Sequence, residues 1–384
     1  MDSFLLYTSI AILCFWIVFG IDLMIGNRSI NYLNDVRPSG NLPAPKLSVI
    51  IPARNEERRI QDALQSVLNQ DYQNVEFIII NDRSTDRTGD ILARMQSVDS
   101  RLRIEHLTTL PKGWLGKNYA LYSGARKATG ELLLFMDADV VLQPSAISKA
   151  VFYLLKNRLD HLTIGPDIKM PGRLLGMFSL AFLIFLSLYA RPWKAKDITS
   201  KRYIGIGGFN LLRTEVYNAV GTHQAIAMRP DDDLKLGKLV KKQKYRQELL
   251  WGKDMLCVEW YSSVRELIDG LMKNMFAAVE YSVVAVIAAS IAQFAFNVWP
   301  LLGIFFTSGI QRLINLIIFL AILILCWDSA RFYSLKRWYG IGFPLCSLLF
   351  IYILWRSMLL AIINNGINWR GTHYSLAELK ANKV

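Results

Sequence analysis

The stretch Glu131–Val140 reads ELLLFMDADV. Four apolar residues, Leu132 to Phe135, run straight into Asp137-Ala-Asp139. A continuous apolar run of this length, opened by Thr129-Gly130, predicts a strand buried on both faces of a parallel sheet. Asp137 and Asp139 then stand at its C-terminal end, where open α/β sheets place their ligands. Two carboxylates one residue apart suit a hard divalent cation, because Mg2+ takes one or two protein carboxylates plus substrate phosphates. A loop that merely turns at Asp-Ala-Asp accounts for the same residues equally well, so the neighbouring stretches decide.

Working outward, Lys46–Pro52 (KLSVIIP) and Val75–Ile80 (VEFIII) are further buried strands, and Leu102–His106 is a short one. Between the first two, Ile60, Ala63, Leu64, Val67 and Leu68 recur at helical spacing. Asp86 is placed to cap a helix running through Met95, and Tyr119–Ala128 is a helix leading into the central strand. Pro111–Asn118 (PKGWLGKN) is a loop, Pro144-Ser145 opens a helix, and a weaker strand lies near His161–Ile168. Strands alternating with helices imply a parallel sheet with right-handed crossovers, an α/β fold.

Hydrophobic residues make up 53% of the 384, and mean hydropathy is +0.26. The excess is concentrated. Residues 3–26 are nearly uncharged and long enough to span a bilayer, without the basic leader and small-residue cleavage site of a signal peptide. Tyr281–Phe306, Leu313–Trp327 and Ile341–Ile363 are three more such segments, which makes this an integral membrane protein. Leu174–Ala190 is short for a crossing, and a crossing there would split the site, so it is expected to lie in the membrane interface. The net charge of +13 gathers at Arg191–Arg202 and Lys235–Arg246, as suits an anionic cytoplasmic leaflet. Neither cluster interleaves aromatics as a single-strand binding groove does, so no nucleic-acid partner is expected. Four cysteines and four histidines are scattered, without disulfide or zinc spacing.

Three more stretches carry chemistry. Asp82, at a strand end in NDRSTDRT, can accept hydrogen bonds from a base N–H, while Ser84 and Thr85 are read equally well as helix caps. Tyr203–Asn210 (YIGIGGFN) is a glycine turn or a place where backbone approaches a ligand. Asp231-Asp232-Asp233 begins a helix; three carboxylates exceed what a cap needs, and group transfer to a hydroxyl needs a base.

Taken in order, SVIIPARNEE (Ser48–Glu57), IINDRSTDRT (Ile79–Thr88), FMDADV (Phe135–Val140), GIGGFNLLRTEVYNAVG (Gly205–Gly221) and DDLKLG (Asp232–Gly237) resemble the family 2 glycosyltransferases. PKGWLGKNYAL (Pro111–Leu121) and the tail INWRGTHYSLAEL resemble a lipid-modifying branch, near ceramide glucosyltransferases and carotenoid- and hopanoid-associated enzymes. The resemblance implies a GT-A domain in which Pro52, Arg54, Glu56 and Asp82 hold the nucleotide, Asp82 facing uracil. Lys117 would lie near the uridine and phosphates. Asp137 would face the ribose and share with Asp139 a divalent metal, Mg2+ or Mn2+. Gly207, Gly208 and Trp114 would line the sugar and acceptor site, and Asp233, with Asp232 beside it, would supply the base. Two departures stand out. The family's acidic pair is usually Glu-Asp, here Asp232-Asp233, and the Gln-x-x-Arg-Trp of processive synthases is missing. Arg265 or Lys273 is then a candidate contact for the diphosphate, or for lipid headgroups.

The expected organisation is an anchor at 1–26, a linker at 27–45, a cytoplasmic GT-A domain at 46–275 containing the interfacial 173–190 helix, a transmembrane region at 276–366, and a tail at 367–384. The expected activity is metal-dependent, inverting transfer of a single sugar from a nucleotide donor, UDP-linked, to a hydroxyl of a membrane lipid. The expected place is the inner membrane. The alternatives are a polysaccharide or oligosaccharide synthase and a non-catalytic scaffold. Charge puts the Lys336-Arg337 loop and the tail on one side, which requires a re-entrant break at Phe343-Pro344 or Trp299-Pro300.

Overall fold

The β-branched and apolar runs around Leu132–Phe135 become the middle of a sheet because they alternate between two cores. In the computed structural model, which describes residues 2–39 and 43–384, Leu132 and Leu134 face one apolar cluster, with Val49, Ile51, Phe77 and Ile79. Leu133 and Phe135 face the other, with Ile50, Ile78 and Ile80. A strand burying both faces has no polar alternation to show, which is why these runs read as continuous. Of the 27–45 linker, Gly40, Asn41 and Leu42 lie outside the described residues.

The strands in chain order are β1 (Leu47–Ala53), β2 (Val75–Asp82), β3 (Leu102–Leu107), β4 (Leu132–Phe135), β5 (Val140–Leu142), β6 (His161–Gly165), β7 (Asp167–Lys169), β8 (Asn210–Arg213), β9 (Gln247–Trp251) and β10 (Leu256–Glu259). Seven form one sheet in the order β3-β2-β1-β4-β8-β6-β9, and β5-β10-β7 form a second. In the seven-stranded sheet, pairing is parallel except at β8, which runs antiparallel to both β4 and β6. The sheet is therefore mostly parallel, as the α/β reading requires, with one reversed strand that the sequence pattern does not announce. The helices Ile60–Leu68 and Gly116–Ala125 pack on opposite faces.

The chain divides into two compact units that do not follow linear boundaries. One comprises 30–168, 192–259 and 377–384, the sheet unit; the other comprises 1–29, 169–191 and 260–376. Residues 169–191 and 260–275, assigned by sequence to the sheet domain, thus fall with the apolar helices, and the end of the tail falls with the sheet.

Among the described residues, five helical segments are long and apolar enough to cross a membrane: Leu5–Arg28, Arg173–Lys194, Val283–Phe306, Gly309–Phe332 and Arg337–Ile363. In the helical unit the Arg173–Ala190 helix stacks Phe178 on Phe350, ring centroids 4.4 Å apart, and bonds Ser187 to the Tyr333 hydroxyl at 2.6 Å. Its length and composition admit a crossing as well as an interfacial position. At Trp299-Pro300, where a re-entrant break was expected, the helix instead continues, passing through a π-helical turn at Phe294–Val298 into Trp299–Phe306. The Trp16 indole donates to the Phe296 carbonyl at 3.0 Å within that turn. Phe343-Pro344 instead opens the Phe343–Ile363 helix, where a proline's missing N–H costs nothing. Arg28 and Asp328 form an ion pair between two of these helices. The tail folds into a hairpin, Gly366–Trp369 against Thr372–Ser375, turning at Arg370 and Gly371 with φ of 48° and 76°.

Candidate active site

β4 ends at Phe135, and the next residues carry Asp137 and Asp139 past the sheet edge. The triplet Asp231-Asp232-Asp233 opens the helix Asp232–Lys242. What joins them is Gly207. Its carbonyl accepts from Asp137 N at 3.1 Å, and its N–H donates to Asp233 Oδ2 at 2.8 Å. A Cβ on Gly205 would collide with the Asp233 carbonyl, and one on Gly237 with the Ile204 carbonyl, so glycine alone permits this approach of loop to helix. A buried polar network fixes the loop: Thr163 Oγ1 accepts from Ile206 N (3.0 Å), and Gln247 Oε1 accepts from Ile204 N (2.9 Å). Gln247 Nε2 in turn donates to Gly237 O at 3.0 Å.

Lys117 lies at the centre, its Nζ 2.8 Å from Asp137 Oδ1 and 3.5 Å from Asp232 Oδ1. Burial opposes its charge, but Asp137, Asp232 and Asp233 together hold its pKa above the ordinary lysine range. Burial raises the pKa of Asp233, against the pull of Lys117 and of the Leu234 and Gly207 N–H groups. Lys117, Asp137, Gly207, His223, Asp232 and Asp233 line one narrow cleft, with Leu121, Phe135, Met136 and Asn210.

The loop from Ile226 to Asp231 is held on three sides. Asn118 Nδ2 donates to the carbonyls of Ile226, Ala227 and Arg229, and Leu115 N to Ala227 O. The tail's Asn382 accepts from Met228 N at 2.9 Å and donates to Ala225 O at 3.1 Å. Arg229, 1% exposed, makes a forked pair with Asp231 at 2.9 and 3.0 Å. The PKGWLGKN stretch thus sets the position of the acidic helix start.

Asp139 is pushed up to about 7, by desolvation first and then by Asp137 and Glu56, with Arg59 at 3.7 Å as partial relief. Such crowding of carboxylates fits a dication. Among the described residues no three acidic, His or Cys side chains form a ready-made cage, and a Mg2+-type site does not need one. Asp137 and Asp139 are the residues that would hold the metal.

The expected nucleotide residues also gather at the C-terminal ends of β1 and β2. Pro52 is in β1, and the 54–57 and 82–88 segments are stitched together. Asn55 N donates to Ser84 Oγ, Thr85 N to Asn55 Oδ1, Glu56 N to Thr88 Oγ1 and Glu57 N to Asp86 Oδ2. Asp86 accepts from Thr88 N at the start of the Thr88–Val98 helix, as the capping reading expects. Asp82 is buried, and its carboxylate accepts from Arg83 Nε and Nη2 at 2.7 and 3.1 Å, with Arg54 at 3.5 Å. An incoming base would therefore meet a carboxylate already engaged by guanidinium.

Trp114 packs its ring 4.9 Å from Tyr122. Gly208 sits beside Pro166 and Val140. Arg265 and Lys273 belong to the helical unit: Arg265 is exposed and 3.9 Å from Asp269, and Lys273 lies over the Trp369 ring at 4.1 Å. Sequence reasoning passed over Arg59, Asn118 and His223. A charge excess in the Arg54–Arg59 run points to the first, while an isolated buried His or Asn gives no pattern.

Residues 48–221 match the model described as Glycosyl transferase family 2. A 4,4'-diaponeurosporenoate glycosyltransferase from Staphylococcus haemolyticus is 28% identical over 237 residues, 60% of this chain and 60% of that one. An uncharacterized glycosyltransferase from Haemophilus influenzae is 40% identical over 119 residues, 31% of this chain and 35% of that one. The fold is shared with a mannosyltransferase from Pyrobaculum calidifontis, solved in complex with GDP-Man and Mn2+. The TM-score is 0.54 at 16% identity, over 94% of this chain and 98% of that one. Residues 48–221 are thus similar to the glycosyl transferase family 2 domain, and the fold is of the GT-A kind.

Proposed function

We propose that this protein transfers one sugar, with inversion, from a nucleoside diphosphate donor, UDP-linked, to a hydroxyl of a membrane lipid. The observation that carries the reading is Gly207, which ties the strand-end Asp137 and the helix-start Asp233 into one cleft with Lys117. Asp233 takes the acceptor's hydroxyl proton as the acceptor oxygen bonds to the anomeric carbon and the bond from that carbon to the diphosphate oxygen breaks. Burial raises its proton affinity toward that task, and the Gly207 and Leu234 N–H groups fix both its oxygens. Asp137 and Asp139 would hold a divalent cation, which when bound would supply counter-charge to the departing diphosphate. Lys117 keeps the cluster of carboxylates compatible with burial.

A lipid acceptor is favoured by the five apolar helical segments and by the relatives named as diaponeurosporenoate glycosyltransferases. The basic clusters and the cytosolic supply of nucleotide sugars support a catalytic unit on the cytoplasmic side of the inner membrane. The test is incubation of the full chain with labelled nucleotide sugars in lipid-extract membranes, with products read by mass spectrometry. A lipid carrying one added sugar is expected. A ladder of sugar additions, or a water-soluble product, overturns the reading in favour of a synthase.

A further inference from the structure

Residues 377–384 fall with the sheet unit, although they follow a hairpin that belongs to the helical one. They dock on both elements that carry the acidic triplet. On the loop before it, Asn382 Oδ1 accepts from Met228 N at 2.9 Å, and Asn382 Nδ2 donates to Ala225 O at 3.1 Å. On the helix Asp232–Lys242, Lys238 Nζ donates to the Val384 carbonyl at 2.6 Å. Val384 packs against the apolar cluster that holds Leu236 and Val240, two buried residues of that same helix. Leu379 is fully buried. The bonds to the loop divide by chemistry. Asn118 and Leu115 bring donors to the carbonyls of Ile226, Ala227 and Arg229, whereas Asn382 brings an acceptor to the N–H of a Met228 that is 6% exposed. A buried N–H stripped of its acceptor is costly, so a loop without Asn382 shifts to find another.

We propose that Asn382 is a positioning residue for the transfer reaction, fixing the start of the acidic helix through Met228 and so aligning the Asp233 carboxylate. This rests on the functional reading above and extends it to the tail. The linkage is short and stiff. Met228 precedes Arg229, whose guanidinium forks onto Asp231, and the Asp231 carbonyl accepts from Lys235 N at 3.0 Å in the first helical turn. Asp233 lies inside that turn, with its Oδ2 on the Gly207 N–H. Asn382 touches no reacting atom, and acts only by where it holds the base. A misplacement of about 1 Å costs a reaction as much as 100-fold. The Asn118 and Leu115 bonds survive loss of Asn382, so a smaller displacement and a smaller loss follow.

The test uses the full chain in nanodiscs, with UDP affinity measured by calorimetry and turnover measured with the labelled nucleotide sugar that the wild type accepts. Turnover is expressed per UDP-binding site, so a partly unfolded preparation does not imitate the effect. Asn382→Ala is expected to lower kcat about tenfold while UDP affinity stays within about twofold, because the nucleotide residues at the ends of β1 and β2 are untouched. Asn382→Asp keeps the acceptor for Met228 N and should recover part of that loss; it also serves as the test variant should Asn382→Ala fail to fold. Lys383→Ala, exposed and one residue on, should stay within about twofold of wild type in both readouts. Unchanged kcat in a folded Asn382→Ala variant, or parallel losses of kcat and UDP affinity, overturn the proposal. A wild-type chain that transfers no sugar from any nucleotide donor overturns the functional reading itself, and the inference with it.

Discussion

The two acidic stretches of the cleft, Asp137-Ala-Asp139 and Asp231-Asp232-Asp233, use one residue type in opposite ways. The first follows a strand, and its members keep side chains 37% and 25% exposed. The second opens a helix, where successive residues turn by about 100°. Three adjacent carboxylates therefore point three ways: Asp231 to the buried Arg229, Asp232 to Lys117, and Asp233 to the Gly207 N–H. A strand end presents charge outward for a ligand. A helix start divides it among a structural pair, an electrostatic partner and a base.

The largest expected effect falls on the strand-end pair. Asp139→Ala should abolish transfer, and chelation by EDTA should reproduce it in the wild type, because the diphosphate would depart without its counter-charge. Undiminished turnover in excess chelator would mean that basic side chains alone carry the leaving group. On the helix side, Asp233→Asn should cut turnover by about 10²–10⁴-fold with nucleotide affinity nearly unchanged, as loss of a general base does. Asp232→Asn should cost less. A reversal of that order in the measured kcat would move the base by one residue and break the division just described.

That division was only half legible in the sequence. The strand end was readable because β1, β2 and β4 bury both faces and so leave continuous apolar runs, with Asp137 at the close of one. β8 and β9 were not. Asn210–Arg213 continues a glycine-rich loop, and Gln247–Trp251 begins with a glutamine that is buried only because it serves Ile204 and Gly237. The triplet was legible as a charged helix start, but the buried partner of Asp231 was not. Arg229 reads as a surface arginine until the fold encloses it. The hairpin in the tail was missed although Arg370-Gly371 between alternating residues is a turn signal.

Acid should act on the buried polar network behind the cleft. His161, in β6, is fully buried between Asn210 and Gln247, and burial pushes it down to about 4 despite the Asn210 bond. An unfolded histidine takes up a proton near pH 6.5, which the folded one refuses. Stability is therefore intact above about 6.5 and falls as pH drops toward 4, by about 1.4 kcal/mol per pH unit. His223, pushed to about 3, adds the same slope. Denaturant midpoints measured from pH 7 to 4 should show this loss, and His161→Gln should flatten part of it. A slope unaltered in that variant would assign the acid loss to other groups.

The smallest effect on turnover should come from Asp231, and it is the sharpest check on the comparison. Its carboxylate accepts both bonds of the Arg229 fork and lies 3.6 Å from Lys235 Nζ. Asp231→Asn keeps one acceptor oxygen but removes the carboxylate charge that faces a buried guanidinium. Removing a charged partner from a buried hydrogen bond costs about 1–3 kcal/mol. The Ile226–Asp231 loop keeps its Asn118, Leu115 and Asn382 bonds, so the helix start should stay in place. The variant is therefore expected to lose denaturant resistance by that amount while turnover per folded molecule stays within about twofold at low temperature, well short of a general-base loss. If instead its turnover collapses like that of Asp233→Asn while its midpoint is unmoved, the helix start does not separate structure from chemistry. All three carboxylates would then act as one acidic site, as the strand-end pair does.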